Sequence, residues 1–159
     1  MNGILLKQIS ILSAIVGAIL GVITIIPLLG SFSFLFIIAL MGAGLIVYMK
    51  KMSLIGFLEP NDGAIFGGIA GFISFLGFSV TFLPLCTIIG VFAKFSFYAG
   101  IKSLVLGFIS MPFLLIVFVV LTALMSALMN AFSGMVAAYI YTQIETKPDE
   151  SITNFEIEE

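Results

Sequence analysis

Few residues in this chain have side chains that could do chemistry, and they are scattered along it. Glu59 and Asp62 stand three positions apart around Pro60, and Cys86 is the only cysteine. Paired carboxylates can carry acid–base or metal chemistry, but near a helix start they also cap it, and Asp62 is placed to act as an N-cap. We therefore expect helix capping from this pair and a small buried apolar role for Cys86.

The residue types on which most catalytic sites depend are missing. The chain contains no histidine, and all six of its basic residues are lysines. Zinc sites of Cys and His, haem ligation through His, and Ser–His or Cys–His nucleophiles are therefore excluded, as is a disulfide within the chain. No basic cluster indicates nucleic-acid binding. The sequence predicts a non-enzymatic protein that uses no cofactor or metal.

Three polar residues within or beside apolar blocks remain as candidate sites. Asn130 is the most polar residue deep in an apolar block, and two roles are open for it: a hydrogen bond to another helix, or a place in a substrate path. Lys94 and Lys102 share one helical face with Tyr98, because the three residues are spaced by four. Since a lysine can extend its ammonium group to the membrane surface, both lysines are predicted to contact lipid headgroups.

Composition makes lipid the expected solvent for most of the chain. Of its 159 residues, 62% are hydrophobic and 9% are charged, whereas a soluble domain carries roughly 45–50% apolar and about 25% charged residues. The mean hydropathy is +1.33. Because the apolar residues come in long blocks, the sequence predicts an all-α integral membrane protein of about four transmembrane helices, and not a transmembrane β-barrel of short alternating strands.

The first half of the chain predicts two spans joined by a tight turn. Residues 4–29 form an apolar block that is too long for the apolar region of a cleaved signal peptide, so we expect it to remain as a helix. Pro27 and Gly30 supply the turn. The second block, residues 32–49, ends beside an aromatic residue and the cationic Lys50, which is typical of a membrane interface.

The third span is predicted at residues 63–90. It contains Pro84, where we expect the helix to kink or break. Residues 91–105 follow as a short helix lying in the membrane interface, since their lysines share one face and phenylalanines occupy the other. This interfacial segment separates the third span from the fourth.

The fourth block, residues 106–141, is longer than a membrane requires. As one helix it would measure about 54 Å, against a hydrocarbon core of about 30 Å. We expect it to project beyond the membrane, with a break near Pro112 or near Asn130 as the alternatives. Residues 1–144 then form the transmembrane domain, and residues 145–159 form an acidic soluble tail.

Small residues recur at a spacing of about four along the first, third and fourth predicted helices. This spacing places them on one helix face, where a missing side chain lets another backbone approach closely. We predict helix packing at these positions, either within one subunit or between subunits, and the lining of a pore is the third interpretation. The glycines of the pattern are Gly17, Gly21, Gly63, Gly67 and Gly71.

The distribution of lysines predicts the orientation. With four crossings, one side of the membrane carries four lysines and the other side carries two. Basic residues concentrate on the cytoplasmic side, so we expect both termini in the cytoplasm and the protein in a cell (inner) membrane. The larger group is Lys7, Lys50, Lys51 and Lys147, and the smaller group is Lys94 and Lys102.

Two functions are compatible with these features. The first is a small membrane subunit or an assembly or accessory factor that acts by helix packing, as a homo-oligomer or beside a larger membrane-protein partner. The second is a small transporter or channel-like protein, with a path near Pro84 and Asn130. Because no charged residue lies within the later apolar blocks, a neutral or lipid-like substrate fits this second function better than an ion.

Overall fold

The computed structural model describes residues 3–56, 58–92, 107 and 112–145, and all regular structure in them is helical. A π-helical turn joins the second and third helices into one rod, so the described residues form four helical rods and no strand. The elements are α1 (Gly3–Ile23), α2 (Pro27–Leu35), the π-helical turn (Phe36–Leu40), α3 (Met41–Lys51), α4 (Pro60–Phe92) and α5 (Pro112–Glu145).

Each rod is long and apolar enough to cross a membrane. The apolar stretches are Leu6–Ile23, Leu28–Lys51, Pro60–Ile89 and Phe113–Ile144. The shortest has 18 residues, which corresponds to about 27 Å at 1.5 Å per residue, close to the thickness of a hydrocarbon core. The predicted all-helical architecture with four such helices is therefore confirmed for the described residues.

The turn between the first two rods lies earlier than predicted. α1 ends at Ile23, and the chain turns through Thr24–Ile26 before α2 begins. Pro27 is the first residue of α2 rather than part of the turn. Proline is favoured there because an N–H group in the first turn of a helix has no acceptor within that helix, so its absence costs no hydrogen bond. Gly30 lies within α2, where its N–H donates to the carbonyl of Ile26 at 2.8 Å.

The two longest helices are continuous at Pro84 and at Asn130, where breaks were considered; a break just before Pro112 falls outside the described residues. α4 runs through Pro84 without interruption, so a break there is wrong. α5 likewise continues through Asn130, and its first residue is Pro112, again at a position where proline costs no hydrogen bond. α4 also begins at Pro60, so Asp62 lies in its first turn instead of capping it.

Part of the sequence prediction falls on residues outside the described ranges. Of the predicted interfacial segment 91–105, only residues 91 and 92 are described, as the last turn of α4. Lys94 and Lys102 lie outside the described residues, and so does the tail beyond Glu145.

α4 is the central helix of the bundle. It packs along both α5 and α1, while α3 packs on α4 and α5. α1 and the α2–α3 rod, although consecutive in sequence, make their main contacts with other helices rather than with each other.

Two apolar clusters form the core. The first contains residues from α1, α3, α4 and α5 together with Leu58 of the α3–α4 connection, and the second contains residues from the π-helical turn, α4 and α5. Ala70 belongs to the first cluster and Phe75 to the second. Gly71 lies between them in sequence, at the level where the buried polar side chains of α5 meet the π-helical turn.

Candidate functional site

The π-helical turn Phe36–Leu40 is the main irregularity of the bundle. Adding one residue to a helical turn displaces backbone groups from their usual i to i−4 partners, and Leu40 departs from regular helical angles with φ −118° and ψ −7°. Every residue of the turn has an apolar side chain, so none of them can satisfy these groups. The missing partners must come from another helix.

Asn130 of α5 supplies them. Its Nδ2 atom donates to the carbonyl oxygens of Ile37 at 2.7 Å and Ile38 at 2.9 Å, and its Oδ1 atom accepts from the N–H of Gly42 at 2.7 Å. In a regular α-helix the N–H of Gly42 would donate to the carbonyl of Ile38. The carboxamide therefore replaces this helical hydrogen bond. Its oxygen accepts from the N–H of Gly42, and its nitrogen donates to the carbonyl of Ile38. We call this arrangement the Asn130 clamp.

Ser126, one turn before Asn130, extends the clamp to α4. Its hydroxyl lies 3.1 Å from the carbonyl oxygens of both Ile37 and Gly71. The backbone carbonyl of Ser126 also accepts from Asn130 Nδ2 at 2.9 Å. Both side chains are fully buried, so these hydrogen bonds are made away from water, where leaving any of the groups unpaired would be costly.

Glycines create the room for this polar layer. A Cβ atom at Gly71 would lie 2.7 Å from the Ser126 carbonyl oxygen, and one at Gly67 or at Gly42 would overlap the carbonyl oxygen of Asn130. Three helices therefore approach at backbone distance around Asn130. The sequence pattern indicates Asn130 and two of these glycines but not Gly42 or the π-helical turn, because an all-apolar turn carries no distinguishing residue type.

The five glycines of the predicted packing pattern all lie at helix–helix contacts within the chain. Gly17 and Gly21 of α1 face the backbone of α4 at Ser74 and Phe78, and Gly63 of α4 faces Gly134 of α5. Gly67 and Gly71 meet α5 at the Asn130 clamp, as described above. Small side chains thus set the α1–α4 and α4–α5 contacts.

The arrangement positions backbone but offers little chemistry. The Asn130 amide is neutral, and both of its ends are occupied by backbone groups. Glu59 is exposed and Asp62 partly exposed at the start of α4, whereas Cys86 is buried. At 1.5 Å per residue along that helix, the two carboxylates lie about 36–40 Å from the thiol. Among the described residues, no group of three His, Cys, Asp or Glu side chains is placed to hold a metal ion.

A groove separates α1 from the α2–α3 rod. One hollow of about 270 Å³ lies between Leu12 and Val16 of α1 and Met41, Gly44, Leu45 and Tyr48 of α3, with Phe36 at its inner end. A second hollow of about 300 Å³ lies on the other side of Phe36 and is lined mainly by Leu20 and residues of α2. We call the first hollow the Phe36 groove. Its lining is apolar apart from the tyrosine.

Comparisons with known proteins add no further constraint on the site. No protein-family model, no curated protein sequence and no solved structure matches the chain. The residues and contacts of the chain itself are therefore the basis for its proposed function.

Proposed function

We propose that the chain is an integral membrane protein that acts by helix packing, as a non-enzymatic subunit or an assembly or accessory factor. The observation that carries this proposal is the Asn130 clamp, since the most polar buried side chain of the described residues is used entirely to hold helices together. Support also comes from the outer faces of the four rods, which expose large apolar side chains. Such faces need lipid or another protein as their surroundings.

The proposed topology follows from charge. The four lysines Lys7, Lys50, Lys51 and Lys147 lie in the cytoplasm with both termini and the acidic tail, in a cell (inner) membrane. We place the short interfacial helix after the end of α4, on the opposite side. Lys94 and Lys102 contact lipid headgroups there.

A partner subunit would meet the outer face of α5. The small-residue faces of α1 and α4 are occupied inside the chain, whereas α5 exposes bulky apolar side chains along most of its length. Leu128 is 67% exposed and Phe132 is 65% exposed. Because a lipid-exposed helix face of this kind can also accept another helix, we place contact with a second copy or a larger membrane partner here.

A photoreactive amino acid at position 128 tests this function. In native membranes, we expect irradiation to crosslink the protein to another polypeptide, and we expect the protein purified in mild detergent to exceed the monomer mass of 17.1 kDa. The matched control is the same substitution at Val80, which is 76% exposed on α4 and should crosslink less. A strict monomer that gives no protein crosslink from position 128 would contradict the proposal.

One observation favours the second function, a transporter for a neutral or lipid-like substrate. The Phe36 groove is apolar and runs beside the π-helical turn, and irregular helices often mark transport sites. Vesicles containing the protein and a fluorescent lipid would then exchange that lipid between leaflets faster than protein-free vesicles. Asn130→Leu should reduce this rate. Equal rates with and without protein would exclude this function for that class of substrate.

A further inference from the structure

The Phe36 groove has the dimensions and the apolar lining of a site for a hydrocarbon chain. Its volume of about 270 Å³ is just below the usual range of small-molecule pockets, about 300–1,000 Å³. A helix with its side chains is about 10 Å across and does not fit within such a hollow. A flexible aliphatic chain does, lying against Leu12, Val16 and Met41.

The mouth of the groove is polar. On α3, Gly44 and Tyr48 line the groove, and Lys51 follows at the next position of the same helix face, since residues spaced by four and three are neighbours. On α1, Gln8 lies one turn before Leu12 on the groove side. Gln8 and Lys51 are both exposed. Helix periodicity therefore places an ammonium group, a phenol and an amide at this end of the groove.

The packing of the core places these polar groups at the same end of the bundle. Ile9 of α1 and Met49 of α3 belong to one buried cluster. Each lies within two residues of a polar group at the mouth, Gln8 and Lys51 respectively. The groove thus begins beside a cation and ends at the ring of Phe36, which is the polarity of a phospholipid with its headgroup at the membrane surface.

We infer that the Phe36 groove binds one anionic phospholipid. One acyl chain lies between α1 and α3 with its end near Phe36, and the phosphate group accepts hydrogen bonds from Lys51, Tyr48 and Gln8. A lysine attracts anionic headgroups, so the site prefers an anionic lipid over a zwitterionic one. The inference rests on the proposed insertion in a membrane and extends it to a specific lipid contact.

Lipid retention by the full-length protein tests the site. We would reconstitute the protein in bilayers of equal phosphatidylglycerol and phosphatidylcholine, release it in mild detergent and count retained lipids by native mass spectrometry. Phosphatidylglycerol should be retained about fivefold over phosphatidylcholine, the factor expected for one lysine at the membrane surface. Equal retention of the two lipids would overturn the inference.

Two matched pairs of variants locate the contact. Lys51→Gln should abolish the preference for the anionic lipid, whereas Lys7→Gln should keep it. Both substitutions remove one positive charge, but Lys7 lies nine residues before Val16, on the opposite side of α1.

A Cβ atom at Gly44 would already contact Phe36 at 3.3 Å, so Gly44→Leu should fill the groove and lose the retained lipid. Val47→Leu, on an exposed part of α3, should not. Equal behaviour within either pair would overturn the assignment.

Helicity and membrane extraction separate this inference from the proposed function. Each variant is compared with the natural chain by circular dichroism. A variant that loses both lipid and helix content is misfolded. Lys51→Gln then decides the inference, because the Lys51 side chain is exposed and its replacement should not disturb folding. If alkaline carbonate extracts the natural chain from membranes, the proposed membrane function fails, and the lipid site fails with it. A chain that stays inserted but shows no lipid preference contradicts the lipid site alone.

Discussion

The carboxamide of Asn130 makes hydrogen bonds that the backbone of another helix cannot make for itself. Replacing it by leucine of similar size leaves the N–H of Gly42 and the carbonyl of Ile38 without their partner. Because the N–H of Gly42 is buried and the carbonyl of Ile38 is partly buried, we expect Asn130→Leu to lower the free energy of unfolding by about 1–3 kcal/mol. Unfolding in mixed detergent micelles, followed by circular dichroism, measures this change.

Ser133→Ala is the control for the clamp. Ser133 lies on the same helix, and its hydroxyl donates only to the carbonyl of Asn130, at 3.2 Å, so its removal leaves no backbone group of another helix unpaired. We expect its stability to stay within about 0.5 kcal/mol of the natural chain. If the two variants unfold alike, the clamp does not carry the stability assigned to it.

Two adjacent glycines of α4 provide a second test at the residue scale. A Cβ atom at Gly67 would overlap the carbonyl oxygen of Asn130, whereas one at Gly68 would meet its nearest neighbour, the Ala131 side chain, at 3.5 Å, an ordinary contact. Gly67→Ala should therefore cost about 1–3 kcal/mol through overpacking. Gly68→Ala should be neutral or stabilise by up to about 1 kcal/mol, because alanine has the higher helix propensity.

The same unfolding measurement decides between the two glycines, since both substitutions add one methyl group to the same helix. Similar stabilities for the two variants would show that α4 and α5 do not approach as closely as described. Sequence spacing placed Gly67 in the packing pattern but could not rank it against Gly68. The difference arises from the position of a backbone oxygen on another helix, which no local sequence pattern encodes.

Among the elements, a residue just after the end of α3 has a left-handed backbone conformation that glycine usually adopts. Ser53 has a φ of 55°. The N–H of Ser53 donates to Lys50 and that of Leu54 to Met49, each at 3.0 Å, which is a Schellman motif with serine at the left-handed position. Since a Cβ atom is unfavourable there, Ser53→Gly should stabilise the protein by about 1 kcal/mol.

Ser53→Ala separates backbone strain from loss of the hydroxyl. It removes the hydroxyl but keeps the Cβ atom, so we expect no stabilisation from it. Thermal unfolding in detergent compares the two variants with the natural chain. If alanine stabilises as much as glycine does, the hydroxyl rather than the backbone angle is the source of the effect.

The elements could be predicted from the sequence where local properties determine them, and not where tertiary contacts do. Apolar length is a local property, so the number of apolar helices followed from the sequence. Proline was less informative: Pro84 costs its helix one hydrogen bond, yet α4 continues through it because α4 packs on both α1 and α5. At Pro27 and Pro112 the same residue type begins a helix. Tertiary contacts decide between these outcomes, and the local sequence does not contain them.

At the scale of the whole molecule, the helices differ in length at one end of the bundle. A Cβ atom at Gly21, near the end of α1, would lie 3.4 Å from the backbone nitrogen of Phe82. α4 continues ten residues further, which adds about 15 Å, and no charged residue occurs in that extension. Ile88 and Phe113 at this end are 54% and 78% exposed. These side chains favour lipid, so the shorter α1–α2 turn should lie deeper in the membrane than the end of α4.

The α1–α2 turn is suited to an apolar environment. The N–H groups of Thr24, Ile25 and Ile26 donate to carbonyls at the end of α1 at 2.9–3.2 Å, and Pro27 has no N–H group. Internal hydrogen bonding of this kind is what a membrane interior requires of a backbone. A cysteine in this turn should therefore be shielded from water-soluble reagents, although Ile26 is 51% exposed on the protein surface.

Maleimide labelling tests this depth. In a Cys86→Ala background, Ile26→Cys should react with a water-soluble maleimide at least about tenfold more slowly than Met52→Cys, because thiol reactions need the thiolate, which forms in water. Met52 is 54% exposed just after Lys51 and lies at the end of the bundle where we propose that the lysines meet the membrane surface. Vesicles permeable to the reagent make both faces accessible, and denaturation in SDS should equalise the two rates. Equal rates in intact bilayers would place the turn in water, and the apolar end of α4 would then require a protein partner instead of lipid.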